Sequence, residues 1–306
     1  MKALISGLLN IETTIKIREF PIEYAPIDFP FFGIKSGVSG VAFNIARALR
    51  MLDNDVKISS FVGGDFEGKR VMETLAADKI DAGLIHAELR ETPVSAVLYD
   101  DSGRRRIYCD LKDIQEQTTE LSRIADAVAE CDVAILCNIN FNRSLLREVK
   151  NLGKPIATDV HVLGSINDEF NRDFMECADI LFLSDENLPC GAEEFLLRLK
   201  DAYPPKIIVI GRGDKGAMMY ERESDRVYRL NVVNIGGVVN TVGAGDALFS
   251  AFLSFYFGGF SAVESLCRAE IFAALKIRHN GASIGFPSVA EVEKIYADIG
   301  KTIVCT

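Results

Sequence analysis

The chain has 306 residues and a formal net charge of −10, with 48% hydrophobic and 25% charged residues, a balance that suits a globular protein with a large core. The acidic balance argues against non-specific nucleic-acid binding, which needs clustered Lys and Arg, yet leaves room for a small anion in a local positive pocket. The seven cysteines (109, 131, 137, 177, 190, 267 and 305) form no C-x-x-C and no regular spacing, as expected of reduced, buried thiols in the cytosol. The N-terminus reads as a first strand rather than a signal peptide. No apolar run reaches the roughly 18 residues that a membrane span requires, so a cytoplasmic protein is expected.

In chain order, Met1–Ser6 is a short apolar strand that runs into Gly7–Glu12. Residues 13–35 read as irregular: Pro21, Pro26 and Pro30 exclude a central strand. Their cluster of Phe29, Phe31 and Phe32 suits either a cap over a ligand or a contact between two copies. Ser36–Leu49 reads as the opening of a helix, with apolar residues recurring at three and four. Val56–Val62 is a strand, and Gly63–Arg70 after it nearly matches the P-loop pattern G-x-x-x-x-G-K-[ST]. Arg70 stands where a hydroxyl should hold magnesium, and two acids lie inside the loop, so a P-loop is rejected. Pro93–Tyr99 and Arg104–Cys109 flank Asp100–Gly103 as a β-hairpin. Arg104–Arg106 reads as a solvated or interface charge run, one member of which could reach a phosphate.

From Leu121 onward, helix and strand alternate. Leu121–Glu130 precedes Val133–Cys137, Arg143–Leu152 precedes Pro155–Asp159, Asn167–Cys177 precedes Asp179–Leu183, and Ala192–Ala202 precedes Lys206–Ile210. This alternation predicts a parallel sheet covered on both faces, with the site at the strands' carboxyl ends. Asp159, His161 and Ser184–Asn187 fall at such ends. Gly211–Gly216 matches G-x-G-x-x-G, but Ala217–Glu221 and Val227–Leu230 read as strands where a dinucleotide site needs a helix. His86, His161 and His279 are far apart and suggest no metal cluster. Ala262–His279 is a long amphipathic helix that ends in Asn280-Gly281-Ala282.

Between these last segments lies Asn240-Thr241-Val242-Gly243-Ala244-Gly245-Asp246, followed by an almost wholly apolar run to Phe257 and a Gly258-Gly259 stop. The run reads as a buried helix. Small residues before its first turn leave backbone N–H groups and a positive dipole end open to phosphate oxygens. A carboxylate beside such a cradle repels phosphate unless it serves the reaction, and taking a proton from an attacking hydroxyl is such a service.

At these residues the chain resembles the ribokinase-like (PfkB) family of sugar and nucleoside kinases, whose signature Asp-Thr-x-Gly-Ala-Gly-Asp stands here as Asn240–Asp246. Further matches in the family's order are Gly7–Glu12, Ser39–Asn44, Val62–Gly68 and Gly213–Gly216. The resemblance implies a single domain over residues 1–306: an α/β, three-layer ribokinase-like fold with a central, mostly parallel sheet and a small β-lid near 11–35 and 93–110. It implies Asp246 as catalytic base and Gly243, Ala244 and Gly245 as the anion hole. Asn10, Glu12, Gly40 and Asn44 would contact the substrate, and Asn187, Gly213, Gly216 and Asn280 would contact ATP.

The expected reaction is ATP- and Mg2+-dependent phosphorylation of a primary hydroxyl on a small sugar. A nucleoside is the alternative acceptor, on which Phe29, Phe31, Phe32 and Phe43 would pack. A regulator that has lost catalysis and an NAD-linked oxidoreductase are the readings from other classes. Three departures stand out. Ser39 replaces a glycine; Ser184–Asn187 replaces the Asn-x-x-Glu that organises magnesium, leaving Asp185 or Glu186 to serve it; and Asn240 replaces an Asp that helps hold a monovalent cation in some members, so potassium dependence is in doubt. A homodimer through the β-lid is expected, with no nucleic-acid or membrane partner.

Overall fold

The structure is a computed structural model and describes residues 1–305. The chain opens with β1 (Lys2–Ser6), β2 (Asn10–Lys16), β3 (Ile34–Ser39) and α1 (Val41–Met51), then β4 (Asp55–Gly63), α2 (Phe66–Ala77) and β5 (Asp81–Leu89). A hairpin of β6 (Val94–Tyr99) and β7 (Arg105–Asp110) leads into α3 (Ala125–Glu130), β8 (Val133–Leu136), α4 (Arg143–Asn151), β9 (Ile156–Val162), α5 (Arg172–Cys177), β10 (Ile180–Ser184), α6 (Ala192–Ala202) and β11 (Ile207–Gly211). The chain then forms β12 (Ala217–Glu221), β13 (Arg226–Leu230), α7 (Ala244–Phe257), α8 (Ala262–Lys276), α9 (Val289–Ile303) and the short β14 (Val304–Cys305).

Ten strands form one sheet in the order β14-β13-β12-β11-β10-β9-β8-β1-β4-β5. It is parallel from β5 to β11 and antiparallel beyond. Strict alternation along the inner strands divides the core in two. Ala3, Ile5, Val133, Ile135, Ile180, Phe182, Ile207 and Val209 pack with α1, α7 and α8 on one face. Leu4, Ala134, Leu136, Leu181, Leu183, Ile208 and Ile210 pack with α3–α6 on the other. Strands buried on both faces have no reason to alternate polar and apolar residues, which is why they read as short continuous apolar runs.

A second sheet, in the order β3-β2-β6-β7, is formed by the segments expected to make the lid. Ser36–Ser39 does not open the helix but extends β3, paired antiparallel with β2 so that Asn10 faces Ser39 and Glu12 faces Gly37. The helix begins one residue after Gly40, whose φ of 105° and close approach to the Leu8 carbonyl leave no room for a side chain. Likewise Thr13–Lys16, read as irregular, continue β2 and pair with β6. Both segments are strands only because a partner strand satisfies their backbone.

Other boundaries differ more modestly. The expected helix at Leu121–Glu130 is a 3-10 turn followed by α3, and the one at Asn167–Cys177 starts only at Arg172. The near P-loop is a strand–helix turn in which Asp65 accepts hydrogen bonds from the Gly68 amide (2.9 Å), the Thr92 amide (2.8 Å) and the Thr92 hydroxyl (2.6 Å). That carboxylate is a structural clasp. Gly211–Gly216 leads into β12 through a 3-10 turn, not into a helix. The six cysteines whose side chains are described are free; the Cys305 side chain lies outside the described part.

Candidate active site

Gly243 closes the turn before α7 at a φ of 77°, and a Cβ there would come within 2.5 Å of the Ala282 carbonyl oxygen, so only glycine fits. Asn240 braces the turn from both sides: its Oδ1 accepts from the Val242 amide and its Nδ2 donates to Asn280 Oδ1, each at 2.8 Å. The Ala244 amide is already spent on the Thr241 carbonyl at 3.1 Å. The amides of Gly243, Gly245 and Asp246 have no partner among the described residues. Three free donors therefore stand at the positive end of a long helix, a place suited to an anion. Of the Gly-Ala-Gly set, Ala244 shapes the turn rather than offering its N–H.

Asp246 sits in the first turn of α7, where its Oδ2 accepts a 2.7 Å hydrogen bond from Asn44 Nδ2 of α1. Burial raises its carboxyl above the ordinary value, against the opposing pull of His161 and the Asn44 bond. Glu12 of β2 is raised too, first by burial and then by the charge of Asp246, while a hydrogen bond with Ser39 opposes the shift. Asn10 donates to Ser95 Oγ at 3.0 Å. The Oδ1 atoms of Asn10 and Asn44 are buried with no partner. A buried acceptor left open is costly unless something donates to it, and hydroxyl groups of a polyol are such donors. Gly40 is used differently: its missing side chain admits the Leu8 backbone.

The carboxyl end of β9 adds a pair that no sequence motif assigned. His161, at a φ of 61°, donates its amide to Asp159 Oδ1 at 2.8 Å, and its Nδ1 lies 3.5 Å from Asp159 Oδ2. Burial works against a charged imidazole, but Asp159 and then Asp246 outweigh it and push His161 up to about 9. Burial likewise works against the Asp159 carboxylate, and His161 outweighs it, holding that group below its usual range. One ligand-capable atom from each of Asp159, His161 and Asp246 lies within 4.8 Å of the others. The wide spacing of the histidines suggested no metal cluster, yet His161 joins two aspartates in a group of metal-capable side chains that the fold brings together.

Two cations complete the electrostatics. Arg105 of the lid donates to Thr241 Oγ1 at 3.2 Å, whereas Arg104 pairs with Asp100 and Arg106 lies over the Tyr108 ring. The arginine run therefore splits, with one member reaching the turn. Lys276, the last residue of α8, is fully buried and donates to the Val242 carbonyl. The carboxylates of Glu12 and Asp246 thus feel the charge of Lys276, and those of Asp159 and Asp246 that of His161.

The residues expected beside a nucleotide fall at the same end of the sheet. Asn187 follows β10 in the left-handed region at a φ of 68°, Gly213 and Gly216 bound the turn after β11, and Asn280 is tied to Asn240. The Asp185 amide donates to the Gly211 carbonyl at 2.9 Å, joining the first two of these segments. Phe43 is not available to a ligand: it is 1% exposed, in the core beneath α1.

The pattern that defines the pfkB family of carbohydrate kinases matches residues 18–289, and the chain belongs to that family. The chain is 24% identical to the fructosamine kinase of Bacillus subtilis over 224 residues, 70% of this chain and 75% of that one. It is also 24% identical to a nucleoside kinase of Methanothermobacter thermautotrophicus over 263 residues, 83% of each. Among solved structures, a microbiome-derived acarbose kinase superposes with a TM-score of 0.86 at 20% identity, covering 97% of this chain and 98% of that one. Arabidopsis thaliana ribokinase, solved with ribose and ATP, gives 0.80 at 18% identity, covering 96% and 97%. The fold is therefore the ribokinase-like α/β fold.

Proposed function

We propose that this protein transfers the γ-phosphoryl group of ATP to a primary hydroxyl of a small sugar. The observation that carries the reading is the Asp246 carboxylate, oriented by Asn44 and standing beside three unpartnered amides at the start of α7. In this scheme Asp246 takes the hydroxyl proton, the hydroxyl oxygen bonds to the γ-phosphorus, and the bond from that phosphorus to the β-phosphate oxygen breaks to release ADP. The amides of Gly243, Gly245 and Asp246 meet the charge that develops on the phosphoryl oxygens; one such donor contributes about 3–4 kcal/mol. His161 and Arg105 add positive charge around the same turn. Asn10, Glu12 and Asn44 hold the acceptor's hydroxyls, two of them through open acceptor atoms. Lid strands over that pocket keep water from the phosphoryl group.

Asp185, Glu186 and Asn187 after β10 offer the hard oxygen donors that suit Mg2+, and the ion would neutralise the nucleotide's phosphates there. A sugar is preferred to a nucleoside because Phe43 is withdrawn into the core and Phe29, Phe31 and Phe32 are 69%, 85% and 98% exposed. Those rings suit a lid-to-lid contact between two copies better than a stack on a base. The test is ADP release from Mg-ATP across pentoses, hexoses and nucleosides, with Asp246→Asn as control. One sugar is expected to turn over, and the variant is expected to lose about a hundredfold or more in kcat while still binding ATP. Equal turnover by the variant would overturn the role of Asp246, and preferential turnover of a nucleoside would move the assignment to that substrate.

A further inference from the structure

We infer that Lys276 is a positioning residue of the Asn240–Asp246 turn, its ammonium serving as a built-in cation in place of a bound monovalent ion. The inference rests on the proposed function only in taking that turn as the phosphate site. Lys276 is 0% exposed and is among the largest fully buried side chains of the protein. Its ammonium donates to the Val242 carbonyl, an acceptor in the turn itself, and it joins no direct ion pair among the described residues. A methionine or leucine would fill the same volume without desolvating a charge, and burying an ammonium with no carboxylate in direct contact is unfavourable. The site therefore carries a charge that packing alone does not require.

The surroundings say what that charge does. Glu12 of β2 and Asp246 of α7 face Lys276 with negative charge, and Arg105 of β7 faces it with positive charge. Burial pulls the ammonium down to about 8, against the pull of those two carboxylates, so it remains mostly protonated at neutral pH. It lies where backbone carbonyl oxygen converges with carboxylate charge, an environment that also suits an alkali cation. Asn240 contributes a neutral amide whose two ends are already used by Val242 and Asn280, so at that position the turn offers no carboxylate to hold a mobile ion. Lys276 delivers one positive charge from α8 and ties that helix to the loop whose amides lie on either side of Ala244.

The test compares the protein with Lys276→Met in potassium, sodium and choline chloride at one ionic strength, following both thermal unfolding and ADP release. The wild-type protein is expected to be indifferent to the cation in both. The variant is expected to lose about tenfold or more in kcat, with a smaller change in KM. Potassium, but not choline, is expected to raise its Tm by several degrees and restore part of the lost rate, a rescue that a purely space-filling lysine would not permit. Potassium activation of the wild-type protein would overturn the inference, as would a variant with unchanged kcat or one that no small cation rescues. If the methionine variant does not fold, Lys276→Gln retains a donor near Val242 without the charge, and the same outcomes apply. The thermal arm needs no turnover, so a protein that phosphorylates nothing would refute the proposed function and leave this test standing.

Discussion

At the scale of single residues, the chemistry depends on charges placed where water cannot screen them fully. His161 is the clearest case, because its proton affinity depends on Asp159 and Asp246 being beside it. Its ordinary value is 6.5 and its folded value about 9. Between those limits the folded protein keeps a proton that the unfolded chain has released, so stability falls as pH rises. The contribution is whole below 6.5 and gone above about 9. Lys276 acts in the opposite sense: its value drops from 10.5 to about 8, so its charging penalty is relieved only above about 8. The window from 6.5 to about 8 thus reports His161 alone of the two. His161→Asn is expected to flatten stability across that window relative to the wild type, as read from urea midpoints at several pH values. Parallel curves for the two proteins would show that the imidazole carries no such linkage.

At the scale of elements, α7 ties the site to the core. Its first turn carries Asp246 and the free amides, and its body is buried from Ala247 to Leu253. Phe252 is fully buried, with its ring centroid 5.2 Å from that of Phe182 in β10 and 5.6 Å from that of Tyr256. Truncating such a ring removes its burial and leaves a cavity, so Phe252→Ala is expected to cost about 3–5 kcal/mol of stability, measurable by denaturant unfolding. The same loss should raise the sensitivity of ATP turnover to temperature, since the helix start is held in place by this packing. A cost below about 1 kcal/mol would mean that the site relaxes far more than close-packed interiors usually do.

At the scale of the whole molecule, the lid is where the chain presents unsatisfied surface. All six residues of β7 are exposed along one edge of the lid sheet, and Tyr24, Ile27, Phe29, Phe31 and Phe32 are more than two-thirds exposed in the loop between β2 and β3. Open strand edges and apolar patches of this kind invite pairing with another chain, and a second copy is the partner we propose. Light scattering is expected to give a dimer mass for the wild type and a monomer mass for Phe29→Ser with Phe31→Ser. A wild-type monomer at micromolar concentration would exclude this assembly.

Much of this was legible without coordinates, for a physical reason. Strands β8–β11 each bury both faces, so their apolar runs announced a covered parallel sheet. Gly243, Ala244, Gly245 and Asp246, which open α7, are adjacent in sequence, so the turn with its free amides and carboxylate could be read from one segment. Local chemistry written in adjacent residues survives translation into sequence. What depends on distant partners does not. Ser36–Ser39 looks like the start of a helix until β2 pairs with it. Lys276 looks like an ordinary basic residue closing a helix until Val242, 34 residues earlier, is found against its ammonium. The approach of His161 to Asp246 likewise exists only because β9 ends and α7 begins at the same edge of the sheet. Sequence alone determined the architecture and the glycine turn that opens α7, through periodicity and turn chemistry. Tertiary structure decided which charges meet in the site, because a charge's partner is set by where the chain returns and not by what lies next to it.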